Sequence, residues 1–396
     1  MHGVDAYPGV RKEPFETLAE YERWREEGPV KLVRRANGED TWLVLQQEAA
    51  QEILGQTDRL TSDMTAPGFP LFRAGKPSGN PGNMLPRMDP PKHAEVRRYF
   101  ASFFTAKRIA NWQPEIDRIT ESAFDHLLEV GPPADLMADF ANRIPASVTC
   151  MLLGIDDAVT ADFRRLAEGN ASSLVSAEER NAAIAELYEI IEGIFAEQRK
   201  SPTEGIVSEL VRWVDEGKLS HEAAVGNVFV LAVGSQETTA FTIGLGALQL
   251  MKRPDLVQKI NEDPGKLPVL VEEMVRTQAI AGQVICRAVT KPISVGDQIL
   301  EPGDGLAVVP EVANRDPRVY VNANEIDLDR DMSVGHVGFG SGIHSCLGMN
   351  LARAELRSVF ARLFQKLPNL TIASGDEPEY RFDPFIFGVN RLPVEW

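Results

Sequence analysis

Cysteine is scarce in this chain of 396 residues, because only Cys150, Cys286 and Cys346 occur and no two of them form a CxxC pair. That spacing argues against zinc ribbons, thioredoxin-like redox sites and iron–sulfur clusters held by cysteine alone. Basic residues are also outnumbered, with 41 Lys and Arg against 58 Asp and Glu and a net charge of −17. Non-specific nucleic-acid binding needs a basic surface, so this composition argues against that class of function.

Long apolar runs are rare, and the N-terminal stretch before Glu16 has none that could form a signal peptide or an anchor. The exception is the range 222–251, whose only charges are Glu222 and Glu237. Its length would span a bilayer, but polar residues 235–239 lie near its middle, where a lipid-exposed helix tolerates them least. We therefore predict a helix through the centre of a cytoplasmic protein that does not bind a membrane.

Two kinds of pattern divide the chain and predict a mainly α fold in a single domain, 1–396. Helical periodicity marks two ranges, about 90–283 and about 348–367. Alternation interrupted by Gly and Pro predicts small β-rich parts at about 30–60, 284–310 and 369–396. The segment 61–87 is rich in Pro and Gly and contains Phe69 and Phe72, which together predict a lid over a binding pocket.

The strongest chemical signal surrounds the third cysteine, in the run Phe339-Gly340-Ser341-Gly342-Ile343-His344-Ser345-Cys346-Leu347-Gly348. Its glycines let the backbone curl and approach another group closely. Cys346 stands at the start of an amphipathic helix, where free N–H groups and the helix dipole favour a thiolate. A lone thiolate suits either a nucleophile or a single axial bond to iron.

This run resembles the haem-binding signature FxxGxHxCxG of the cytochrome P450 superfamily, which Phe339, Gly342, His344, Cys346 and Gly348 match. The resemblance implies haem b (iron protoporphyrin IX) bound through the Cys346 thiolate, with Phe339 and Gly348 among the haem-binding residues. Thiolate ligation favours cleavage of the O–O bond. The resemblance also implies the P450 fold, a triangular helical body with a long central distal helix and a small β-rich region.

Further residues lie where this family would place them. Glu273 and Arg276 match its ExxR motif, two charges on one helix face, whereas residues 324–327 do not identify the usual third partner of that pair. The resemblance also assigns the cations that hold the two haem propionates to His93, Arg97, Arg287 and His344.

Two registers fit the middle of the central helix to the oxygen side of the haem. Counting back from ExxR puts Glu237-Thr238 at the family's acid–alcohol pair, with Ser235 replacing a glycine. Anchoring on Gly234 instead puts Gln236-Glu237 over the iron, as in the minority of family members that O-demethylate methoxyphenols. The first register suits O2 and two electrons, and the second suits H2O2, because one glutamate can take up and return a proton. We hypothesise that Glu237 handles protons and that peroxide can drive turnover.

These features predict a cytochrome P450 monooxygenase, with possible peroxygenase activity, that hydroxylates or O-demethylates a small aromatic substrate such as a methoxyphenol. The alternatives are a larger natural product (a terpene or macrolide) as substrate, a non-catalytic haem sensor, and a cysteine hydrolase, for which His344 is poorly placed as a base. A ferredoxin and its reductase are the expected electron donors. The residues expected to line the pocket are Phe69, Phe72, Val233, Ile280, Gln283, Phe385 and Phe387.

Overall fold

The computed structural model describes residues 4–72, 81–155, 165, 176–282, 285–383 and 385–396. The helices, numbered in chain order, are α1 Ala19–Glu27, α2 Gln47–Gly55, α3 Lys92–Ala101, α4 Ala106–Val130, α5 Arg143–Leu153, α6 Ala177–Lys200, α7 Ile206–Asp215, α8 His221–Met251, α9 Pro254–Glu262, α10 Leu267–Gln278, α11 Pro310–Ala313, α12 Met349–Phe360 and α13 Leu363–Lys366. The strands are β1 Asp5–Ala6, β2 Val30–Arg34, β3 Asp40–Val44, β4 Leu60–Thr61, β5 Ala134–Asp135, β6 Cys286–Val289, β7 Ile293–Val295, β8 Gln298–Leu300, β9 Gly305–Val308, β10 Thr371–Ile372, β11 Glu379–Arg381, β12 Gly388–Arg391 and β13 Pro393–Glu395. The predicted mainly α fold with small β-rich parts is confirmed.

The chain forms two compact units, so the single domain stays a prediction. Unit 1 consists of Met1–Ala74, Gln258–Cys346 and Tyr380–Gly388. Unit 2 consists of Gly75–Val257, Leu347–Glu379 and Val389–Trp396.

Unit 1 is built on a six-stranded sheet in the order β1-β2-β3-β9-β6-β4. Strand β3 pairs with β2 in antiparallel and with β9 in parallel orientation, and β6 pairs with β9 and β4 in antiparallel orientation. Alternate residues of β3 and β9 enter two different core clusters, because successive side chains point to opposite faces of a strand. Val44 and Leu306 pack with Ile53 of α2, whereas Leu43 and Ala307 pack in the cluster that holds α1.

The first part of the predicted lid, residues 61–72, is anchored to unit 1 through Gly68 and Phe69. The Phe69 side chain is only 7% exposed and belongs to the core cluster that holds α1. Gly68 has a φ of +77°, and a Cβ there would lie 1.8 Å from the carbonyl oxygen of Gly303. Only glycine allows two backbones to approach so closely. The segment is therefore held to unit 1 at Gly68 and Phe69, and the lid stays a prediction.

Phe72 is also held within unit 1, against the N-terminal segment. Its ring centroid lies 5.5 Å from that of Tyr7, and the Arg35 guanidinium lies 5.6 Å from the Phe72 ring. The Arg35 Nη1 donates a hydrogen bond to the carbonyl of Leu71 at 2.8 Å. Residues 73–80, in the middle of the predicted lid, lie outside the described residues.

Helix α8 is the core helix of unit 2. It starts where the Ser220 hydroxyl accepts a hydrogen bond from the Ala223 N–H, and it packs against α5, α6, α7 and α12. The helix is long and apolar enough to span a membrane, with a mean hydropathy of 1.3 over its most apolar window, but 61% of that window is buried inside the protein. This burial agrees with the prediction of a central helix surrounded by protein.

Candidate functional site

The cysteine segment of unit 1 forms a tight loop closed by its own backbone. Gly340 and Gly342 both have φ +70°, a conformation that L side chains rarely adopt. A Cβ on Gly342 would lie 2.5 Å from the carbonyl oxygen of Leu54. The Cys346 N–H donates to the Phe339 carbonyl at 2.7 Å. The position of Cys346 is therefore set by main-chain geometry, which needs glycine at two points.

Cys346 differs from the other two cysteines in its exposure. The structure describes all three, and Cys150 and Cys286 are only 2% and 3% exposed, whereas Cys346 is exposed. Helix α12 begins at Met349, and within the described residues no side chain caps its N-terminus at Gly348. The N-terminal end of a helix carries a partial positive charge, which in general favours the thiolate form of a nearby cysteine. Among the three described cysteines, Cys346 is the one that is accessible to a ligand.

The ExxR residues form a buried ion cluster in unit 1. Glu273 and Arg276 are fully buried, and the guanidinium donates twice to the carboxylate, at 2.6 and 2.8 Å. Arg330 is the third partner, with its Nε 2.9 Å from Glu273 Oε2. Arg330 lies just after residues 324–327 and has no fixed spacing to Glu273. The only feature of the sequence that could have identified it as the third partner is therefore an arginine shortly after that stretch.

This ion cluster is hydrogen-bonded to the cysteine loop. Arg276 Nη1 donates to the carbonyl of Asn314 at 2.9 Å, and the Asn314 side chain accepts the Val337 N–H at 2.8 Å. The Val337 carbonyl in turn accepts the Gly340 N–H at 2.9 Å. The Tyr320 ring lies 4.9 Å from the Arg276 guanidinium, and burial raises the pKa of Tyr320 to about 12. The phenol therefore stays neutral and adds no charge to the cluster.

His336 is a second residue that holds this loop and that no motif indicated. Its Nδ1 accepts the Gly338 N–H at 3.0 Å, and its Nε2 lies 3.2 Å from a carboxylate oxygen of Glu272 on α10. Its ring lies 5.8 Å from that of Phe339. His336 therefore orients the turn that precedes Phe339.

Two of the residues expected to bind propionates come together in unit 1. The His344 Nε2 lies 3.1 Å from the hydroxyl of Ser62. Strands β4 and β6 pair Thr61 with Ala288, so the antiparallel register places Ser62, the next residue, across from Arg287. The sheet thus brings His344 and Arg287 to the same edge through Ser62, which lies in the predicted lid segment and was not expected to take part.

The other two expected propionate ligands lie in unit 2, on helix α3. His93 is buried and Arg97 is partly exposed. They are four residues apart, so they share one face of the helix as the spacing predicts.

The middle of α8 has one side that the rest of unit 2 leaves partly uncovered. We call it the open side of α8, and it is formed by Leu231, Gly234 and Thr238. The Thr238 hydroxyl donates to the Gly234 carbonyl at 2.9 Å, and the Thr242 hydroxyl donates to the Thr238 carbonyl at 2.7 Å. A hydroxyl group that donates to the carbonyl of the residue four positions earlier often bends a helix.

Gln236 and Glu237 lie off this open side. Gln236 is 3% exposed and Glu237 is 8% exposed. Successive helical residues are rotated by about 100°, so Gln236, two residues from both Gly234 and Thr238, points away from the open side. The Glu237 side chain points in a direction between that of Thr238, on the open side, and that of Gln236, about 100° from each.

Several of the expected pocket residues are brought together in unit 1. Ala281 and Ile386 form an antiparallel bridge, and the Phe387 N–H donates to the Ile280 carbonyl at 3.0 Å. Ile280 and Phe387 are buried, and the Arg11 guanidinium lies 4.2 Å from the Phe387 ring. Phe385 and, in unit 2, Val233 are partly exposed. Gln283 lies outside the described residues, and Phe69 and Phe72 are packed as described above.

Helix α12 carries a buried carboxyl group that no motif indicated. Glu355 is buried, and among the described residues its Oε2 has no hydrogen-bond partner. Burial raises the pKa of Glu355 to about 8. The side chain is therefore mainly protonated and neutral at pH 7.

Comparison with known proteins agrees with these features. The family model described as Cytochrome P450 matches residues 163–396. The chain is 34% identical to Cytochrome P450 105A3 of Streptomyces carbophilus, over 99% of this chain and 96% of that protein. It is 33% identical to Vitamin D3 dihydroxylase of Streptomyces griseolus, over 99% of this chain and 97% of that protein.

A solved structure of a similar protein has the same fold. It is mycinamicin VIII C21 methyl hydroxylase from Micromonospora griseorubida, bound to mycinamicin VIII. The TM-score is 0.92 at 29% identity, and the match covers 99% of this chain and 100% of that one.

We compare the free energy of unfolding of Glu355→Gln with that of the wild type. The difference is expected to shift in favour of the variant as the pH rises from acid pH to pH 8. The folded chain holds a proton that the unfolded chain, with a carboxyl pKa of 4.5, releases, so wild-type stability falls as the pH rises from 4.5 to about 8. Glutamine does not titrate, so the relative gain should grow to the order of a few kcal/mol across this range. Denaturant unfolding of the haem-loaded protein at several pH values measures it.

Glu115→Gln is the matched control for this pH series. The Arg118 guanidinium beside Glu115 lowers the pKa of that carboxyl. This ion pair stabilises the fold above the unfolded pKa and is lost as the pH falls, so the variant should show the opposite trend, and a small one because the pair is exposed. A stability difference for Glu355→Gln that does not change with pH would contradict a buried, protonated Glu355.

Proposed function

Because this chain belongs to the cytochrome P450 family, whose members are haem-thiolate monooxygenases, we propose that Cys346 supplies the thiolate that binds the haem iron. The observation that carries this proposal is that Cys346 is the exposed cysteine of the three described, in a loop held by the buried Glu273–Arg276 pair. The donor set fits a haem, since Cys346 is exposed, and since Arg287 and His344 both lie next to Ser62, where they would bind carboxylates. The haem supplies the redox chemistry that activates dioxygen, with electrons from a ferredoxin and its reductase.

The residues around Cys346 keep the sulfur a good donor. The N-terminus of α12 would stabilise negative charge on the thiolate, and the backbone N–H groups of Leu347 and Gly348 follow Cys346 directly in the sequence. Hydrogen bonds to the sulfur tune how much charge it donates. We assign His93 and Arg97 to the propionates as well, because they share a face of α3.

For the oxygen side we propose the register in which Glu237 and Thr238 form the acid–alcohol pair. Thr238 lies on the open side of α8, whereas Gln236 points away from it. The Thr238 hydroxyl gives its hydrogen to the Gly234 carbonyl, so its lone pairs are left to accept a hydrogen bond from a protonated oxygen species or a water. Glu237, the next residue back along the helix, is the group that takes up and releases protons.

Peroxide-driven turnover and a methoxyphenol substrate remain predictions from the sequence, as does a cytoplasmic location. The relatives described above give them no support, and Gln236 does not lie on the open side of α8. If peroxide does drive turnover, Glu237→Gln should suppress product formed with H2O2 while leaving haem bound.

For the substrate we propose a larger hydrophobic natural product that is hydroxylated at an aliphatic carbon. The support is that two similar proteins are named for hydroxylation of vitamin D3 and of a methyl group of mycinamicin VIII. Of the residues expected to line the pocket, the partly exposed ones, Val233 and Phe385, are apolar and aromatic, which suits such a substrate.

Titration of the haem-loaded protein with vitamin D3, mycinamicin VIII and guaiacol, followed by the shift of the Soret band, tests the substrate class. We expect the two large compounds to shift the band at lower concentration than guaiacol, because they bury more apolar area. Tighter binding of guaiacol would favour the methoxyphenol prediction instead.

Replacement of Cys346 by Ser is expected to abolish the thiolate-type band of the ferrous–carbon monoxide complex, because a hydroxyl group does not provide an anionic sulfur donor. Cys150→Ala is the control, since it removes a buried cysteine and should leave that band in place. Difference spectra of the purified variants measure both. A thiolate-type band that survives in Cys346→Ser would contradict the assignment.

Thr238→Val is expected to lower the fraction of NADPH electrons that reach product by about tenfold or more, because it removes the hydroxyl proposed to position the oxygen species or water that exchanges a proton with Glu237. Thr242→Val is the matched control: it removes an equivalent hydroxyl bond one turn later on the same helix. Product and NADPH are measured together with the best-binding compound of the titration. Equal losses in the two variants would contradict a specific role for Thr238.

A further inference from the structure

The segment that precedes α1 carries a buried arginine that no motif indicated. Arg11 is only 4% exposed. Its segment is held in unit 1 on both sides of this residue. The Tyr21 hydroxyl donates to the Gly9 carbonyl at 3.0 Å, and Arg315 Nη1 donates to the Phe15 carbonyl at 2.9 Å. A buried guanidinium is stable only with acceptors and an opposite charge around it, so its contacts indicate its task.

The Arg11 guanidinium joins three different parts of unit 1. Its Nε lies 2.7 Å from a carboxylate oxygen of Glu311 on α11. Its Nη2 donates to the carbonyls of Gln278 and Ala279, at 3.0 and 3.2 Å. Its central carbon lies 4.2 Å from the centroid of the Phe387 ring. One side chain therefore pairs with a carboxylate, binds the end of α10 and supports an aromatic ring.

The end of α10 is a place where such support is needed. Ala279, the residue that follows the helix, has a φ of +45°, in the left-handed region that residues other than glycine rarely adopt. Such a conformation persists only where the surrounding structure holds it. Arg11 binds the carbonyls on both sides of the Ala279 Cα, so it fixes the direction in which the chain leaves the helix.

The chain leaves α10 into the antiparallel bridge between Ala281 and Ile386, which we call the bridge pair. Both members of the bridge pair are partly exposed, whereas Ile280 and Phe387, their neighbours along the chain, are buried. Successive residues of an extended chain point to opposite faces. The bridge pair therefore presents its side chains on one face, and Phe387 packs against Arg11 on the other.

A small cavity lies beside this contact. Its volume is about 20 Å³, and Arg11, Glu311, Phe382 and Phe387 are among the residues that line it. This is about the space that one water molecule needs. Loss of the guanidinium would enlarge the cavity, because the surroundings of a deleted group relax only partly. The Phe387 ring would then have room to move and would displace the backbone of the adjacent Ile386.

We propose that Arg11 is a positioning residue for the substrate pocket. By fixing the Ala279 turn and the Phe387 ring, it sets where the bridge pair meets the substrate, and thereby which carbon atom of the substrate is hydroxylated. Arg11 acts through the backbone and does not touch the substrate. The inference rests on the proposed function, in which a large hydrophobic compound is bound and hydroxylated.

The test compares Arg11→Met with the wild type as haem-loaded, full-length proteins. We expect the Kd of the best-binding compound of the titration, measured from the Soret shift, to rise by about tenfold, because a displacement of about 1 Å far from the chemistry can cost up to about a hundredfold. The ratio of the hydroxylated products should also change. The Kd of imidazole should stay the same, because imidazole binds the haem iron and is too small to need the bridge pair.

Two further variants separate positioning from stability. Arg11→Lys keeps a charge beside Glu311 but lacks the planar guanidinium that binds two carbonyls and stacks on a ring, so it should also change the product ratio, to a smaller extent. Arg34→Met removes an exposed guanidinium that pairs with Asp40 elsewhere in unit 1, and it should behave as the wild type does. Should Arg11→Met not fold, Arg11→Lys decides the question alone.

A wild-type product ratio and Kd in Arg11→Met at full haem content would overturn the inference. So would full wild-type behaviour of Arg11→Lys, since charge alone would then suffice, and so would an equal rise in the Kd of imidazole, which would indicate general damage to the haem site. Failure of the proposed function would look different: the wild type itself would lack the thiolate-type carbon monoxide band or would form no hydroxylated product.

Discussion

The buried ion cluster of Glu273, Arg276 and Arg330 is the interaction on which the candidate site depends. Its three charges lie almost out of reach of solvent, so each must be matched by hydrogen bonds or by an opposite charge. Arg276 meets this need by donating to the carbonyls of Asn314, Ala323 and Glu325. Removing one partner of such a buried pair costs about 3–5 kcal/mol. The segment that carries these carbonyls is therefore held in one conformation.

That rigidity reaches the cysteine loop of unit 1 through short steps. Asn314 holds Val337, Val337 holds Gly340, and the Cys346 N–H closes the loop on Phe339. A ligand for iron has to present its sulfur in one place before the metal arrives, since a mobile thiol would lose entropy on binding. The charged cluster thus helps to fix the position of the Cys346 sulfur through intervening hydrogen bonds, without contacting it. Unit 2 contributes a different kind of element, a buried helix whose polar middle has one open and one covered side.

Much of this could be predicted from sequence, because the relevant signals are local. The glycines around Cys346, the Glu273–Arg276 spacing and the polar break in α8 each lie within a few residues, so periodicity and spacing reveal them. Arg330, His336 and Ser62 were not found, because their partners are distant in sequence and their residue types are common. The packing of Phe69 and Phe72 could not be predicted for a related reason: a segment rich in Pro and Gly predicts a loop, but only the structure reveals the close approach of Gly68 to Gly303.

The central claim is that the ion cluster keeps Cys346 in position to bind iron. Its most direct test is the electron paramagnetic resonance spectrum of the ferric haem protein carrying Arg276→Lys, which retains the charge but not the planar, multiply donating guanidinium. The account predicts that the low-spin signal of thiolate ligation is lost or greatly reduced, although every residue from Phe339 to Gly348 is unchanged. A wild-type signal of full intensity in this variant would contradict it.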